Sequence, residues 1–186
     1  MTDTTTRIVS GLLFLAFSPL CLWWLRREYK RRGKLNWFSS FVHVAMYGFH
    51  GMFCGTLAWG AGSTIPLMGT LAWLGLPLMV VGLGITVYAM DLFRKFSRWL
   101  GSNVPGLQTN GLYRYSRNPQ FVGYGLFLLG FSLAWWTPLV VVGLLGYVAL
   151  AYAVTLVEEE HLMRTYGASY REYCQRVPRY LGFPKE

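Results

Sequence analysis

Two short stretches hold most of the side chains able to do chemistry in this chain of 186 residues. Residues 158–161 read EEEH, directly after a long apolar run. Three consecutive carboxylates at the edge of hydrocarbon are costly unless paired, hydrated or bound to a cation. Helical geometry splits the trio, so Glu158 and Glu159 can face a bundle only with Glu160 turned toward water. As a pair they are either headgroup-facing charges or ligands of a cofactor. The second stretch, residues 111–123, reads GLYRYSRNPQFVG. Pro119 disfavours helical backbone at Asn118, so a helix starts at or just after the proline with its first amides unpaired. A carboxylate or phosphate can be held there, with Arg117 beside it. The alternative is a membrane-interface anchor, in which Arg114 and Arg117 meet headgroups and the tyrosines sit at the interface.

His43 and His50, seven residues apart, share one face of an apolar segment. Intramembrane histidines are functional candidates, either in a substrate cavity or in hydrogen bonds between helices. No cysteine or second carboxylate accompanies them and His161 lies on another segment, so no metal site is expected.

The elements that must position these groups are set by composition. The chain is 54% hydrophobic and 13% charged, where soluble domains carry about 25% charged residues. A water-soluble fold of this size could not cover its apolar runs, and an all-α integral membrane protein follows. The three cysteines and eight prolines exclude a disulfide scaffold and a collagen-like fibre. By length, about five transmembrane helices are expected near residues 8–25, 37–59, 66–88, 121–137 and 139–156. The connection at Thr137 and Pro138 is so tight that the last two form a helical hairpin, with Pro138 as first residue of the returning helix. The glycines of the first three spans, Gly75 and Gly82 among them, suit close helix packing.

Charge then gives sidedness. All of the 17 basic residues except Arg7 fall in residues 26–34, 89–120 and 157–186, which five spans place on one face. The positive-inside rule makes that face cytoplasmic, with the N-terminus external and the C-terminus cytoplasmic. The net charge of +9 is explained by this topology and by anionic headgroups, so nucleic acid is not an expected partner. Residues 1–6 lack a basic n-region, so the first span reads as retained rather than as a cleaved signal. Met163, Tyr166, Tyr170, Tyr173 and Val177 recur at spacings of three and four, which predicts a C-terminal cytoplasmic amphipathic helix lying on the membrane or folding back over the bundle. The whole, residues 1–186, reads as a single membrane domain: three N-terminal spans in 1–90, then a half with the hairpin and the polar tail in 91–186.

Residues 111–123, then after the hairpin 158–173 (EEEHLMRTYGASYREY) and the Arg-Val-Pro at 176–178, resemble the isoprenylcysteine carboxyl methyltransferase family. Phosphatidylethanolamine N-methyltransferases share its Arg-His-Pro-x-Tyr-x-Gly block and paired glutamate. The resemblance covers about residues 95–182. It implies an integral membrane methyltransferase that uses S-adenosylmethionine in a cytoplasm-facing pocket, with an amphiphilic, lipid-like acceptor arriving from the bilayer. It assigns catalytic roles to Arg117 and Arg176, and cofactor binding to Tyr113, Asn118, Pro119, Gly123, Glu158 and Glu159. Asn118 stands where the family pattern has His, and Phe121 where it has Tyr. Asn keeps a donor and an acceptor but cannot be protonated. That weakens an amine acceptor and favours a prenylcysteine-type carboxylate over a phospholipid-like one.

Methyl transfer suits such residues, because an in-line displacement from a sulfonium needs positioning in a dry pocket rather than a protein nucleophile. Aromatic faces can hold the adenine and the sulfonium, and carboxylates and arginines the cofactor's polar groups. Sterol reductases, which use NADPH, have a similar C-terminal layout that residues 173–178 (YCQRVP) partly echo. A non-catalytic membrane subunit is the remaining alternative.

Overall fold

The computed structural model describes residues 3–59, 70–92 and 106–184. Among these every regular element is helical, with no strand. Helix α1 (Asp3–Arg32) pairs with α2 (Trp37–Trp59); α3 (Thr70–Asp91) pairs with α4 (Pro119–Ala134). Helix α5 (Val140–Tyr166) runs back beside all but α3, and α6 (Ala168–Arg176) folds over one end. Three segments are long and apolar enough to cross a membrane: Thr4–Arg32, Leu71–Asp91 and Val140–Tyr166. Helix α4 is apolar but has only 16 residues, about 24 Å at 1.5 Å per residue. Leu12, Leu15, Leu20, Trp73, Val80 and Leu145 are exposed on the flanks of these helices, as expected of surfaces that meet acyl chains instead of water.

The closest helix contact is between α3 and α4, and glycines make it possible. A Cβ on Gly123 would stand 2.5 Å from Thr86 Oγ1 and 2.7 Å from the Gly82 carbonyl, and one on Gly130 would stand 2.5 Å from the Gly75 carbonyl. The pairs Gly82–Gly123 and Gly75–Gly130 recur seven residues apart in opposite directions, so the helices are antiparallel with backbones nearly touching. Small residues allow this approach, and dispersion over the close surfaces then holds the pair. The small-residue reading of Gly75 and Gly82 is therefore apt. Gly123, expected at a cofactor, lies in this seam instead.

Helix α1 joins α2 through Phe14 stacked on Phe53 and Trp24 Nε1 donating to Ser39 Oγ at 2.9 Å. His50 on α2 has Nε2 3.0 Å from the Gly143 carbonyl of α5, so it serves helix-to-helix bonding. The returning hairpin helix starts at Val140, whose amide donates to Thr137. Pro138, expected as the first residue of this helix, therefore belongs to the turn two residues before it.

Helix α5 runs ten residues past its expected end at 156 and carries the glutamate trio within it, because Glu, Leu, Met and Arg sustain a helix beyond the hydrocarbon. It stops at Gly167, where φ is +53°, a conformation that side chains with a Cβ rarely adopt. The predicted stripe is thus cut in two. Met163 stays exposed on α5, while Tyr170, Tyr173 and Val177 turn inward against Leu107, Leu162 and Tyr166.

Candidate functional site

Where the C-terminal ends of α1, α3 and α5 meet the N-terminal ends of α2 and α4, the bundle encloses a cavity of about 380 Å³, within the usual range for small-molecule sites of roughly 300–1,000 Å³. Every helix lines it. Tyr29 comes from α1, His43, Val44 and Tyr47 from α2, Thr86 and Met90 from α3, and Phe121 and Tyr124 from α4. Helix α5 supplies Glu158, Glu159, His161, Leu162 and Tyr166, and α6 supplies Tyr170 and Tyr173. Residues 106–108, Tyr113, Arg117, Asn118 and Gln120 complete the wall.

One charged knot closes the polar side. Arg179 grips Glu159 with two parallel bonds, Nε to Oε1 at 3.0 Å and Nη2 to Oε2 at 2.7 Å. Arg117 Nη1 adds 2.8 Å to Glu159 Oε1 and also donates to Cys174 Sγ at 2.7 Å. Bidentate guanidinium–carboxylate pairs fix orientation as well as charge. The bond to Glu159 raises the pKa of Arg179 above its ordinary value.

The backbone reinforces the knot. The Arg117 amide donates to the Pro178 carbonyl at 3.0 Å, and Asn118 Nδ2 donates to the Arg179 carbonyl at 2.9 Å. The tail after α6 is thereby stitched to the segment just before α4. This stitch occupies the Asn118 amide donor, and the α4 start gains no side-chain cap from Asn118. Pro119 occupies the first helical position and sets the direction in which α4 leaves.

Glu158 differs from its neighbour. It lines the cavity, and no hydrogen bond or ion pair to it is present among the described residues. It is close enough to Tyr29, Tyr47 and Tyr113 for its charge to act on them. Glu160 faces away and joins Arg26 at 2.6 Å, Arg164 at 2.8 Å and Lys30 at 3.3 Å. It therefore ties α5 to α1 at a partly exposed surface rather than standing free in water.

Tyr113 donates to Gln120 Oε1 at 3.0 Å, and its carbonyl accepts from Tyr173 Oη at 2.7 Å. Burial raises the pKa of the Tyr113, Tyr170 and Tyr173 phenols above the ordinary value, so they stay protonated and present donors and ring faces. His161 stacks on Tyr29 with centroids 4.1 Å apart.

Of the expected site residues, Tyr113, Arg117, Asn118, Glu158 and Glu159 come together at the cavity. Arg176 does not: it pairs with Glu172 at 3.4 Å on the outer face of α6, its side chain 58% exposed. Arg179, three residues on, occupies the inward place instead, because the chain becomes extended at Val177 and is held to Arg117 and Asn118 through the carbonyls of residues 178 and 179. Tyr29 and Tyr47 add to the site from outside the two expected blocks, His43 joins it as the candidate from the apolar segment, and His161 joins it from within the second block.

This arrangement, a helical membrane bundle with a charged, aromatic cavity at one end, defines the class of protein. Residues 70–169 match the sequence model described as phospholipid methyltransferase, and the chain belongs to that family. It is also similar to a protein-S-isoprenylcysteine O-methyltransferase of Dictyostelium discoideum, with 26% identity over 114 residues, covering 58% of this chain and 48% of that protein. The chain spans about half the length of this curated relative. No solved structure matches it.

Proposed function

We propose that this chain is a membrane methyltransferase that uses S-adenosylmethionine and methylates an amphiphile entering from the bilayer. Its family membership supports the reaction class. The single observation that carries the site is the contrast between the two cavity glutamates, with Glu159 locked by Arg117 and Arg179 and Glu158 unpaired beside it. A half-buried carboxylate without a partner loses part of its hydration, and a cationic or hydroxyl-bearing ligand relieves that cost.

The residues present fit the cofactor. Arg117 Nε is buried with no acceptor, suited to the cofactor's carboxylate. The ring faces of Tyr113, Tyr170 and Tyr173 suit an adenine and a sulfonium. When bound, S-adenosylmethionine supplies an electrophilic methyl group. The protein's part is to hold that group, keep water out and align the acceptor, which accounts for much of the rate in such displacements. Glu158 takes the cofactor's ammonium or ribose hydroxyls. Glu159, Arg179 and Asn118 hold Arg117 and the tail in place around them.

The acceptor side opens toward lipid. Val44 lines the cavity and is also exposed on the flank of α2, so an acyl or prenyl tail can leave sideways while the reactive end stays inside. We read the bundle as one membrane domain of five spans, α1 to α5, with α4 the shortest, the N-terminus external and the C-terminus cytoplasmic.

Thermal stabilisation of the purified protein tests this reading. S-adenosylhomocysteine is expected to raise the unfolding temperature and NADPH to leave it unchanged. Stabilisation by NADPH alone would favour the reductase reading, and by neither a non-catalytic subunit.

A further inference from the structure

Two cavity-lining polar atoms on α2 are buried with no hydrogen-bond partner: His43 Nε2 and Tyr47 Oη. The residues are one helical turn apart, with ring centroids separated by 5.6 Å. Leaving such a group unpaired costs its lost hydration with nothing in return. The cost is not imposed by the helix, since His50, on the same face seven residues on, bonds to Gly143. Both orphaned atoms sit on the wall that includes Val44, the residue exposed toward lipid. They also lie outside residues 70–169, the part of the chain that the family match covers. The charged knot joins α5, the segment before α4 and the tail, where Arg117 and Arg179 are already committed to Glu159.

We propose that His43 receives the proton released by the methyl acceptor, and that Tyr47 orients the acceptor beside it. The inference rests on the methyltransferase reading and deepens it. In the tautomer with hydrogen on Nδ1, His43 Nε2 carries a free lone pair toward the cavity. The acceptor nucleophile, written X–H, forms its new bond to the methyl carbon. The carbon–sulfur bond breaks with its electron pair remaining on sulfur, the proton of X–H passes to His43 Nε2, and water later removes it. Charge and atoms balance without a further reactant. The acceptor is then an amphiphile whose nucleophile bears a proton, an amine or a thiol. A carboxylate nucleophile would leave His43 idle and would find no uncommitted arginine pair to hold it.

The test uses the full chain in lipid nanodiscs with labelled S-adenosylmethionine and three probes: short-chain phosphatidylethanolamine, a long-chain alkyl thiol and a prenylated cysteine carboxylate. For His43→Gln, transfer to the amine or thiol probe is expected to fall roughly 10²- to 10⁴-fold, the usual worth of a general base. Stabilisation by S-adenosylhomocysteine and by the acceptor alone should persist in that variant. Tyr47→Phe should raise KM for the acceptor more than it lowers kcat. His43→Asn provides a second variant of different length and should behave as His43→Gln does. Wild-type turnover on the prenylated carboxylate only, or wild-type rates in both His43 variants, would overturn the inference and leave the methyltransferase reading standing. Parallel loss of S-adenosylhomocysteine binding and of transfer in both variants would make His43 structural and overturn it as well. A wild type that binds no S-adenosylhomocysteine would sink the methyltransferase reading itself, and the inference with it.

Discussion

Glu158 and Glu159 are adjacent on α5 and both line the same cavity, yet Glu159 is clamped by two arginines while Glu158 has no charged partner among the described residues. Their replacements should therefore fail differently. Glu159→Gln breaks a partly buried knot and should cost roughly 1–3 kcal/mol, between exposed and fully buried pairs. That lowers the unfolding temperature of the free protein by about 2–4 °C per kcal/mol. Glu158→Gln should leave the free protein as stable or more so and abolish the added stability given by S-adenosylhomocysteine. Differential scanning fluorimetry with and without the ligand checks both, and equal ligand shifts in wild type and Glu158→Gln would remove Glu158 from the cofactor.

Gly123 offers a contrast with the cavity residues. Its added Cβ would press on Thr86 and on the Gly82 backbone, which can yield only by separating α3 from α4. Gly123→Ala should thus lower the folded yield and cost about 1–3 kcal/mol, as overpacking does. The loss should persist at saturating S-adenosylhomocysteine. A variant of normal stability that fails only in ligand binding would return Gly123 to the site.

Glu160 meets Arg26, Lys30 and Arg164 at a surface about one-third exposed. Such pairs are worth about 0–1 kcal/mol each and weaken in salt. Glu160→Gln should reduce stability slightly at low ionic strength, lose that difference at high salt, and leave S-adenosylhomocysteine affinity unchanged. A large fall in affinity would show that the α1–α5 tie shapes the cavity.

The cavity end of the bundle carries Arg26, Arg117, Arg164 and Arg179, so it should face the cytoplasm. Reporters fused after residue 186 should read cytoplasmic and those before residue 1 external. Both termini on one side would remove a span, with the short α4 the first candidate.

Helices and their order were readable from apolar run length, since hydrocarbon demands it. Where α5 ends was not, because Glu158 to His161 are good helix residues and only Gly167 marks the stop. The paired glutamates were readable as site candidates, but their division of labour was not. It depends on Arg179, whose inward turn follows from the extended backbone at Val177, whereas the family resemblance pointed to Arg176. Gly123 sits in a block of site-like residues, and nothing in the block shows that its missing side chain serves α3. His43 and Tyr47 carried a signal, an imidazole and a phenol four apart in an apolar helix, but which face meets the cavity is fixed only by packing. The expected loop at residues 60–65 and the basic residues Arg94, Lys95 and Arg98 lie outside the described residues.

The stitch between Arg117 and Pro178 and between Asn118 and Arg179 also bears on biosynthesis. Chains leave the ribosome from the N-terminus, so residues 178 and 179 emerge after α1 to α5. Until they do, Glu159 lacks one of its two arginines. A chain halted before residue 178 would keep its helices but have neither backbone stitch nor the two-bond grip of Arg179 on Glu159.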